Sequence, residues 1–171
     1  MSNRPPSRTP SAHLPAAPEP RLPYEATIMV RDSCLCLHAQ RAARALARHF
    51  DAVLRPFGLT NGQFSLLMAL NRPVPATMAP LAELLAMDRT TLTAALKPLQ
   101  RRGLLEVHPD PADRRSRQIV LTPAGRSLMA DALPVWTATH AGIDRLVGDP
   151  GRLRADLRAL DRLHAGLPAA A

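Results

Sequence analysis

Apolar residues recur every three or four positions along most of this chain, which is the spacing expected for one face of an α-helix. The longest such pattern covers residues 26–57 and leaves its arginines on the opposite face. Gly58 ends this predicted helix, and Thr60 caps a second one. Pro73 and Pro75 interrupt helical structure after that. The apolar face of the first helix consists of Leu35, Ala39, Ala42, Leu46, Phe50, Val53 and Phe57.

Residues 77–103 are predicted to form two helices joined by a tight turn. Asp88 follows the turn and caps the second helix, which covers residues 89–102 and stops at Gly103. The apolar face of the first helix consists of Leu81, Leu84 and Leu85.

A basic hairpin follows the helix pair. Two short apolar runs, at residues 104–107 and 118–121, are predicted to be strands. The residues between them are mainly Pro, Asp and Arg, and Pro and Asp favour turns. Helix, turn, helix and charged hairpin is the order of a winged helix-turn-helix. That fold inserts one helix into the DNA major groove and lays the hairpin beside the phosphates.

Two further helices are predicted after the hairpin. Thr122 caps the first, which contains Pro134, where we expect a kink. A small DNA-binding core, at residues 58–123, cannot cover the apolar stripes of the helices on either side of it. We therefore expect residues 26–57 and 124–167 to be dimerisation helices, although they could instead pack on their own monomer. The stripe of the last helix consists of Leu153, Leu157, Leu160 and Leu167.

Positive charge is concentrated where DNA contact is predicted. The chain has a net charge of +8, and residues 89–117 hold seven cations against three acids. Clustered cations attract the DNA backbone through counterion release. A solvated basic face without a partner is the alternative, but the position of the cluster on a helix-turn-helix favours DNA.

Composition limits the other classes of function. Residues 1–25 contain seven prolines and are predicted to be a disordered tail. No apolar run approaches the ~20 residues of a membrane span, and the N-terminus lacks the apolar centre of a secretory signal. We therefore expect a cytoplasmic protein of mainly α fold with a small β-hairpin wing. No Gly-rich phosphate loop, Gly-x-Ser-x-Gly or His-Glu-x-x-His motif is present, so we expect no catalytic residues and no cofactor.

Several short motifs, in their order and spacing, resemble the MarR family of bacterial transcriptional regulators over roughly residues 33–166. The resemblance implies a mostly helical homodimer with two winged domains, which usually represses transcription until a small molecule or an oxidant releases it. The motifs include Gly58-Leu59-Thr60, Met87-Asp88-Arg89-Thr90-Thr91-Leu92-Thr93, Arg102-Gly103-Leu104, Asp113-Arg114-Arg115 and Leu121-Thr122.

The resemblance also assigns roles to individual residues. It makes residues 89–102 the recognition helix and Arg115 the wing arginine of the minor groove, braced by Asp113. Close relatives commonly have Arg-Asn where this chain has Ala94-Ala95, so the target sequence cannot be carried over from them. The side chains expected at the DNA are Arg89, Thr90, Thr91, Thr93, Lys97, Arg101, Asp113, Arg114, Arg115 and Arg117.

The two cysteines, Cys34 and Cys36, are candidate redox residues. In one continuous helix they would point about 200° apart, which excludes a shared metal ion or a mutual disulfide. Cys36 has the spacing from residues 58–60 that hydroperoxide-sensing relatives give their reactive cysteine, whereas Cys34 lies one turn before His38, which favours a thiolate. The simpler interpretation is that both are small packing residues.

An effector pocket is the remaining candidate site. His49, Trp136 and His140 lie on helices that would flank the effector cavity of the family, although a core role is the simpler interpretation. We expect no metal site, because the six histidines fit no ligand spacing. The chain is predicted to be a homodimeric transcriptional regulator that binds palindromic double-stranded DNA. A small-molecule effector or an oxidant is expected to release it from the DNA. The alternative is a helical protein-interaction module without specific DNA binding.

Overall fold

The computed structural model describes residues 22–111, 113 and 115–161. The first 21 residues of the predicted disordered tail, residues 1–25, lie outside the described residues. The chain divides into two compact units, Met1–Gln40 and Arg41–Ala171, which are described separately below. Among the described residues, no helix is both long enough and apolar enough to cross a bilayer.

The first unit contains a helix break that the sequence did not predict. Instead of one helix from residue 26, α1 covers Tyr24–Ser33 and α2 covers Leu35–Leu54. Between them Cys34 has an extended backbone, with ψ at 103°. The Ser33 hydroxyl donates to the carbonyl of Met29, and the Cys34 sulfur accepts the N–H of Leu37 at 3.4 Å. These polar side chains compete with the helical hydrogen bonds, which explains the break.

The second unit contains the C-terminal part of α2 and all later elements. After a 3-10 turn at Arg55–Phe57, its order is helix, strand, two helices, two strands and two helices. The elements are α3 at Asn61–Leu70, β1 at Ala76–Thr77, α4 at Met78–Leu84, α5 at Arg89–Arg101, β2 at Leu105–Pro109, β3 at Arg117–Leu121, α6 at Pro123–Asp144 and α7 at Pro150–Leu160.

Local signals set the boundaries of these elements as predicted. Gly58 has a left-handed φ of +64° at the end of the 3-10 turn. Thr60 and Gln63 form a reciprocal capping box at the start of α3. Gly103, with φ at +67°, follows the C-terminal end of α5.

The sheet has three antiparallel strands in the order β1-β3-β2. The hairpin of β2 and β3 is the predicted wing, and it pairs Leu105 with Leu121 and Pro109 with Arg117. β1 adds a strand that was not predicted, with Ala76 opposite Ile119. The fold class is therefore confirmed as mainly α with a small winged sheet.

The core fixes the helix pair against the sheet. Both helices and the sheet contribute fully buried side chains to this core. They are Leu81 of α4, Leu92 and Leu99 of α5, and Ile119 of β3. Leu84 was expected to share the apolar face of α4, but it is 63% exposed. The first helix of the pair therefore faces the core through Leu81, with Ala82 and Leu85 partly buried against it.

The C-terminal helices follow the predicted order. Thr122 caps α6 by accepting the N–H of Gly125 at 3.0 Å, and its hydroxyl donates to the carbonyl of Gly103 at 2.7 Å. Pro134 lies inside α6. The expected kink at that residue stays a prediction. Of the stripe on α7, Leu167 lies outside the described residues, and Leu153, Leu157 and Leu160 are exposed.

Candidate nucleic-acid interface

The N-terminus of α5 is held by a double cap. One carboxylate oxygen of Asp88 accepts the N–H of Thr91 at 2.8 Å, and the other accepts the Thr91 hydroxyl at 2.6 Å. These hydrogen bonds hold the pKa of the Asp88 carboxyl below its usual value. Before the cap, Ala86 occupies the left-handed region with φ at +50°, in the turn that joins α4 to α5.

Two of the three threonine hydroxyls of α5 donate hydrogen bonds within the helix and its cap. Thr91 donates to Asp88, as described above, and Thr93 donates to the carbonyl of Arg89 at 2.7 Å. Each of these side chains therefore offers oxygen lone pairs and a methyl group to a partner, but no hydroxyl hydrogen.

A shallow concavity of about 380 Å³ lies on the exposed face of α5. Its residues recur at helical spacing, so they share one side of the helix. Ala94 is exposed there, whereas the neighbouring Ala95 is half-buried and packs against the core. The concavity is lined by Arg89, Thr90, Thr93, Ala94 and Lys97.

The tip of the wing is closed by backbone hydrogen bonds. Asp110 donates its N–H to the carbonyl of Ser116 at 3.1 Å, and Ser116 donates its own to the carbonyl of Asp113 at 2.8 Å. The Asp113 carboxylate accepts the backbone N–H of Arg115 at 2.9 Å. This bond reaches the backbone of Arg115 and not its guanidinium group. Arg114, another expected DNA contact, lies outside the described residues.

The wing and the recognition helix line one cleft. This cleft has a volume of about 490 Å³, and it brings together Arg89 from α5 with Arg115 and Arg117 from the wing. Asp113 also lines it, together with Thr77, Met78, Ala79, Ala82 and Ser116. Three cations and one carboxylate thus face the same space, and all four side chains are exposed. A polyanion is the partner that such a surface attracts.

One arginine of the basic segment has a structural role. Arg102 donates from Nη1 to the carbonyl oxygen of Gly58 at 2.7 Å, across 44 residues of sequence. Arg102 is one of the seven cations of residues 89–117, and sequence spacing alone does not reveal this bond. The adjacent Arg101 is exposed at the end of α5.

The three expected effector-pocket residues are only partly brought together. Trp136 and His140 lie one turn apart on α6, with ring centroids 4.2 Å from each other. Phe50 packs on His140 at 4.9 Å, and Phe64 stacks on Trp136 at 5.8 Å. His49 meets the cluster at its edge, 6.0 Å from Phe50, and is itself exposed.

An open groove of about 580 Å³ borders Trp136 and His140. On its other side Arg154 of α7 donates two hydrogen bonds to Asp144 of α6, at 2.9 and 3.2 Å. Arg154 holds the pKa of the Asp144 carboxyl below its usual value, and His140 adds a smaller contribution. The groove therefore combines aromatic surface with one ion pair, which sequence spacing alone did not reveal.

The two cysteines occupy different settings. Cys34 is half-buried at the junction of α1 and α2, and Cys36 is exposed in the first turn of α2, where it accepts a hydrogen bond from Gln40 Nε2 at 3.1 Å. The expectation that both thiols sit in one continuous helix is therefore wrong. Among residues 22–111, 113 and 115–161, no three His, Cys, Asp or Glu side chains are grouped to hold a metal ion.

Comparison with known proteins identifies related sequences. The MarR family model matches residues 57–116. The transcriptional regulator TtmR of Methylorubrum extorquens is 33% identical over 138 residues, which cover 78% of this chain and 69% of TtmR. The transcriptional repressor NicR of Pseudomonas putida is 36% identical over 76 residues, or 44% of this chain. That match spans about half of the relative, 48% of the length of NicR.

A solved structure resembles the fold as well. The transcriptional regulator MosR of M. tuberculosis, in complex with DNA, is 39% identical and superposes with a TM-score of 0.72. The similarity covers 77% of this chain and 96% of the MosR chain. The resemblance extends well beyond the residues that the family model matches.

Proposed function

The chain belongs to the MarR family of transcriptional regulators, and we propose that it represses transcription by binding palindromic double-stranded DNA as a homodimer. In this proposal α5 enters the major groove and the wing lies along the adjacent backbone. The protein acts in the cytoplasm and performs no catalysis.

The shared cleft of α5 and the wing is the observation that carries this proposal. Arg89, Arg115 and Arg117 come from two different elements and face one space. A helix and a hairpin that present cations together match the path of a DNA backbone beside a major groove. MosR, a relative with 39% identity, forms a complex with DNA, which supports DNA binding by this chain.

Homodimerisation follows from exposed apolar residues on the C-terminal helices. Leu153, Leu157 and Leu160 recur along α7, and Leu133 of α6 and Leu146 are also exposed. Such surfaces normally find a partner, and a second copy supplies two recognition helices for a palindrome. The half-sites would then lie about one helical turn apart, roughly 34–36 Å.

A small molecule is proposed to release the DNA by binding beside Trp136 and His140. The adjoining groove, about 580 Å³ in volume, has room for such a ligand, and its ion pair links α6 to α7. Trp136 is the only tryptophan of the chain. Its fluorescence therefore reports binding at this groove directly, and a Trp136→Phe variant is the control for signal from the ligand itself.

Salt-dependent binding to a selected duplex tests the proposed function. A palindrome would be selected from a random duplex library, and its affinity compared with that of a shuffled duplex by fluorescence anisotropy. We expect tighter binding to the selected sequence and a linear fall of log K with log salt between about 50 and 200 mM.

The alternative function is a helical protein-interaction module. It predicts equal, weak binding to both duplexes, because its basic wing would be incidental. Selection that yields no preferred sequence, together with equal affinities, would overturn the proposal and favour the module. Where a palindrome is bound selectively, analytical ultracentrifugation of that complex establishes whether two subunits bind each palindrome.

A further inference from the structure

We propose that Ala94 and Thr93 form a site on α5 that recognises the 5-methyl group of a thymine in the operator. The inference rests on the proposed DNA binding and deepens it, because it identifies the base that this helix reads. It concerns only the exposed face of α5, which carries the concavity of about 380 Å³.

Two threonine hydroxyls of α5 are not free to donate to a base. The Thr93 hydroxyl donates to the Arg89 carbonyl at 2.7 Å, and the Thr91 hydroxyl donates to Asp88 at 2.6 Å. Neither hydrogen is available to a base acceptor without breaking a bond within the helix. Beside Ala94, Thr93 therefore presents a methyl group and oxygen lone pairs, whereas Arg89, Thr90 and Lys97 supply the donors at the edges of the concavity.

The N-terminal half of α5 has no amide side chain. Asn and Gln read adenine by donating and accepting a hydrogen bond at once. The only amide side chain of α5 is Gln100, in the last turn of the helix. The N-terminal half of α5, which enters the groove first in helix-turn-helix proteins, therefore has no group for that contact.

The shape of the concavity on α5 also favours a methyl group. Ala94 is exposed and has the smallest side chain among the residues that line the concavity. Thr90 and Lys97 lie one helical turn before and after it, with Arg89 at the N-terminal end. The apolar centre of the concavity suits a thymine, because methyl groups of alanine and threonine contact the thymine methyl. Arg89 and Lys97 at its two ends suit neighbouring guanines, because Arg and Lys donate hydrogen bonds to guanine.

Replacing operator thymines by deoxyuridine removes the methyl group and leaves base pairing intact. The test places deoxyuridine at each thymine of the selected palindrome in turn, symmetrically in both half-sites. We expect the protein to bind more weakly when one or two particular thymines of each half-site are replaced. Loss of one methyl group should weaken binding about fourfold. Because each replacement is made in both half-sites, the whole palindrome should bind about fifteenfold more weakly. Thymines in the flanking sequence are the control and should show no change.

A substitution in the protein tests which residue reads the methyl. Ala94→Asn supplies the missing amide, so we expect its preference to move from thymine to adenine at the sensitive position. That variant should also lose its sensitivity to deoxyuridine there. Ser65→Asn, at an exposed position of α3 away from the concavity, is the control and should keep the original preference.

The outcomes separate this inference from the proposed function. Loss of affinity at defined thymines, abolished in Ala94→Asn, supports it. Selective binding of the palindrome with no effect of deoxyuridine at any position would overturn the inference and leave the DNA-binding function standing. Because the deoxyuridine series uses the unaltered protein, it decides the question even if Ala94→Asn fails to fold. Absence of any selective binding would contradict both.

Discussion

The guanidinium of Arg102 donates a hydrogen bond to the carbonyl oxygen of Gly58, which ties the end of the recognition helix to the turn before α3. Gly58 has a left-handed backbone, and its carbonyl would otherwise depend on water. We expect Arg102→Ala to lower the free energy of unfolding by about 1 kcal/mol, since a hydrogen bond from a charged group is lost. Urea unfolding at one fixed protein concentration measures the change.

The neighbouring arginine provides the control for this prediction. Arg101→Ala removes the same charge from the same end of α5, without a bond to Gly58. It should leave stability unchanged and weaken binding to every duplex. If the two variants were equally stable, the bond between Arg102 and Gly58 would have no structural role.

Acid should destabilise the N-terminus of the recognition helix. The hydrogen bonds from Thr91 stabilise the ionised carboxylate of Asp88 and so lower its pKa in the folded protein. The stability that this gives is complete above the usual aspartate pKa, about 3.9, and is lost as the pH falls through the lower folded value. Thermal unfolding between about pH 2 and pH 6 follows the loss.

Asp88→Asn isolates this effect from the other acids. Asparagine caps helices about as well as aspartate, but it has no charge to titrate. The difference in unfolding temperature between the two proteins should therefore be largest near neutral pH and shrink in acid. A difference that stays constant with pH would rule out the ionised cap.

Two glycines should respond in opposite ways to alanine. A Cβ on Gly125 would collide with the carbonyl oxygen of Leu104, whereas a Cβ on Gly62 would meet nothing within 4 Å. We expect Gly125→Ala to destabilise the fold by about 1–3 kcal/mol. Gly62→Ala, inside α3, should stabilise it by about 0.4–1 kcal/mol. Chemical unfolding of both variants beside the parent protein tests the contrast.

The elements of the winged domain could be predicted because their signals are local. Thr60 and Gln63 lie three residues apart in a capping box, and Asp88 directly precedes the helix that it caps. The two apolar runs of the wing lie on either side of a segment rich in turn residues, so the hairpin was also predicted. In each case the responsible residues are neighbours in sequence.

The features that were missed depend on contacts between distant segments or on side-chain hydrogen bonds that compete with those of the helix backbone. β1 is two residues long, and only its pairing with Ile119 and Gln118 makes it a strand. The bond from Arg102 to Gly58 and the packing of Phe50 on His140 each join distant segments. At Cys34 the helical pattern continues in the sequence, but side-chain hydrogen bonds break the helix.

We expect neither Cys34 nor Cys36 to sense oxidants, and cumene hydroperoxide tests this. DNA release by cumene hydroperoxide would be compared in the parent protein, Cys34→Ser and Cys36→Ser. We expect all three to stay bound equally. If oxidant released the parent protein but not Cys36→Ser, the exposed Cys36 thiol would be the sensor. If it released the parent protein but not Cys34→Ser, the sensor would be the Cys34 thiol, which precedes α2.

The salt dependence of an Arg115→Ala variant tests the central claim most directly, namely that the helix and the wing bind DNA together. Arg115 lines the cleft with Arg89, and we expect it to act through the phosphates and the potential of the minor groove. We expect Arg115→Ala to weaken binding to all duplexes alike and to flatten the slope of log K against log salt by about one for each wing. Unchanged affinity and slope at low salt would contradict the account.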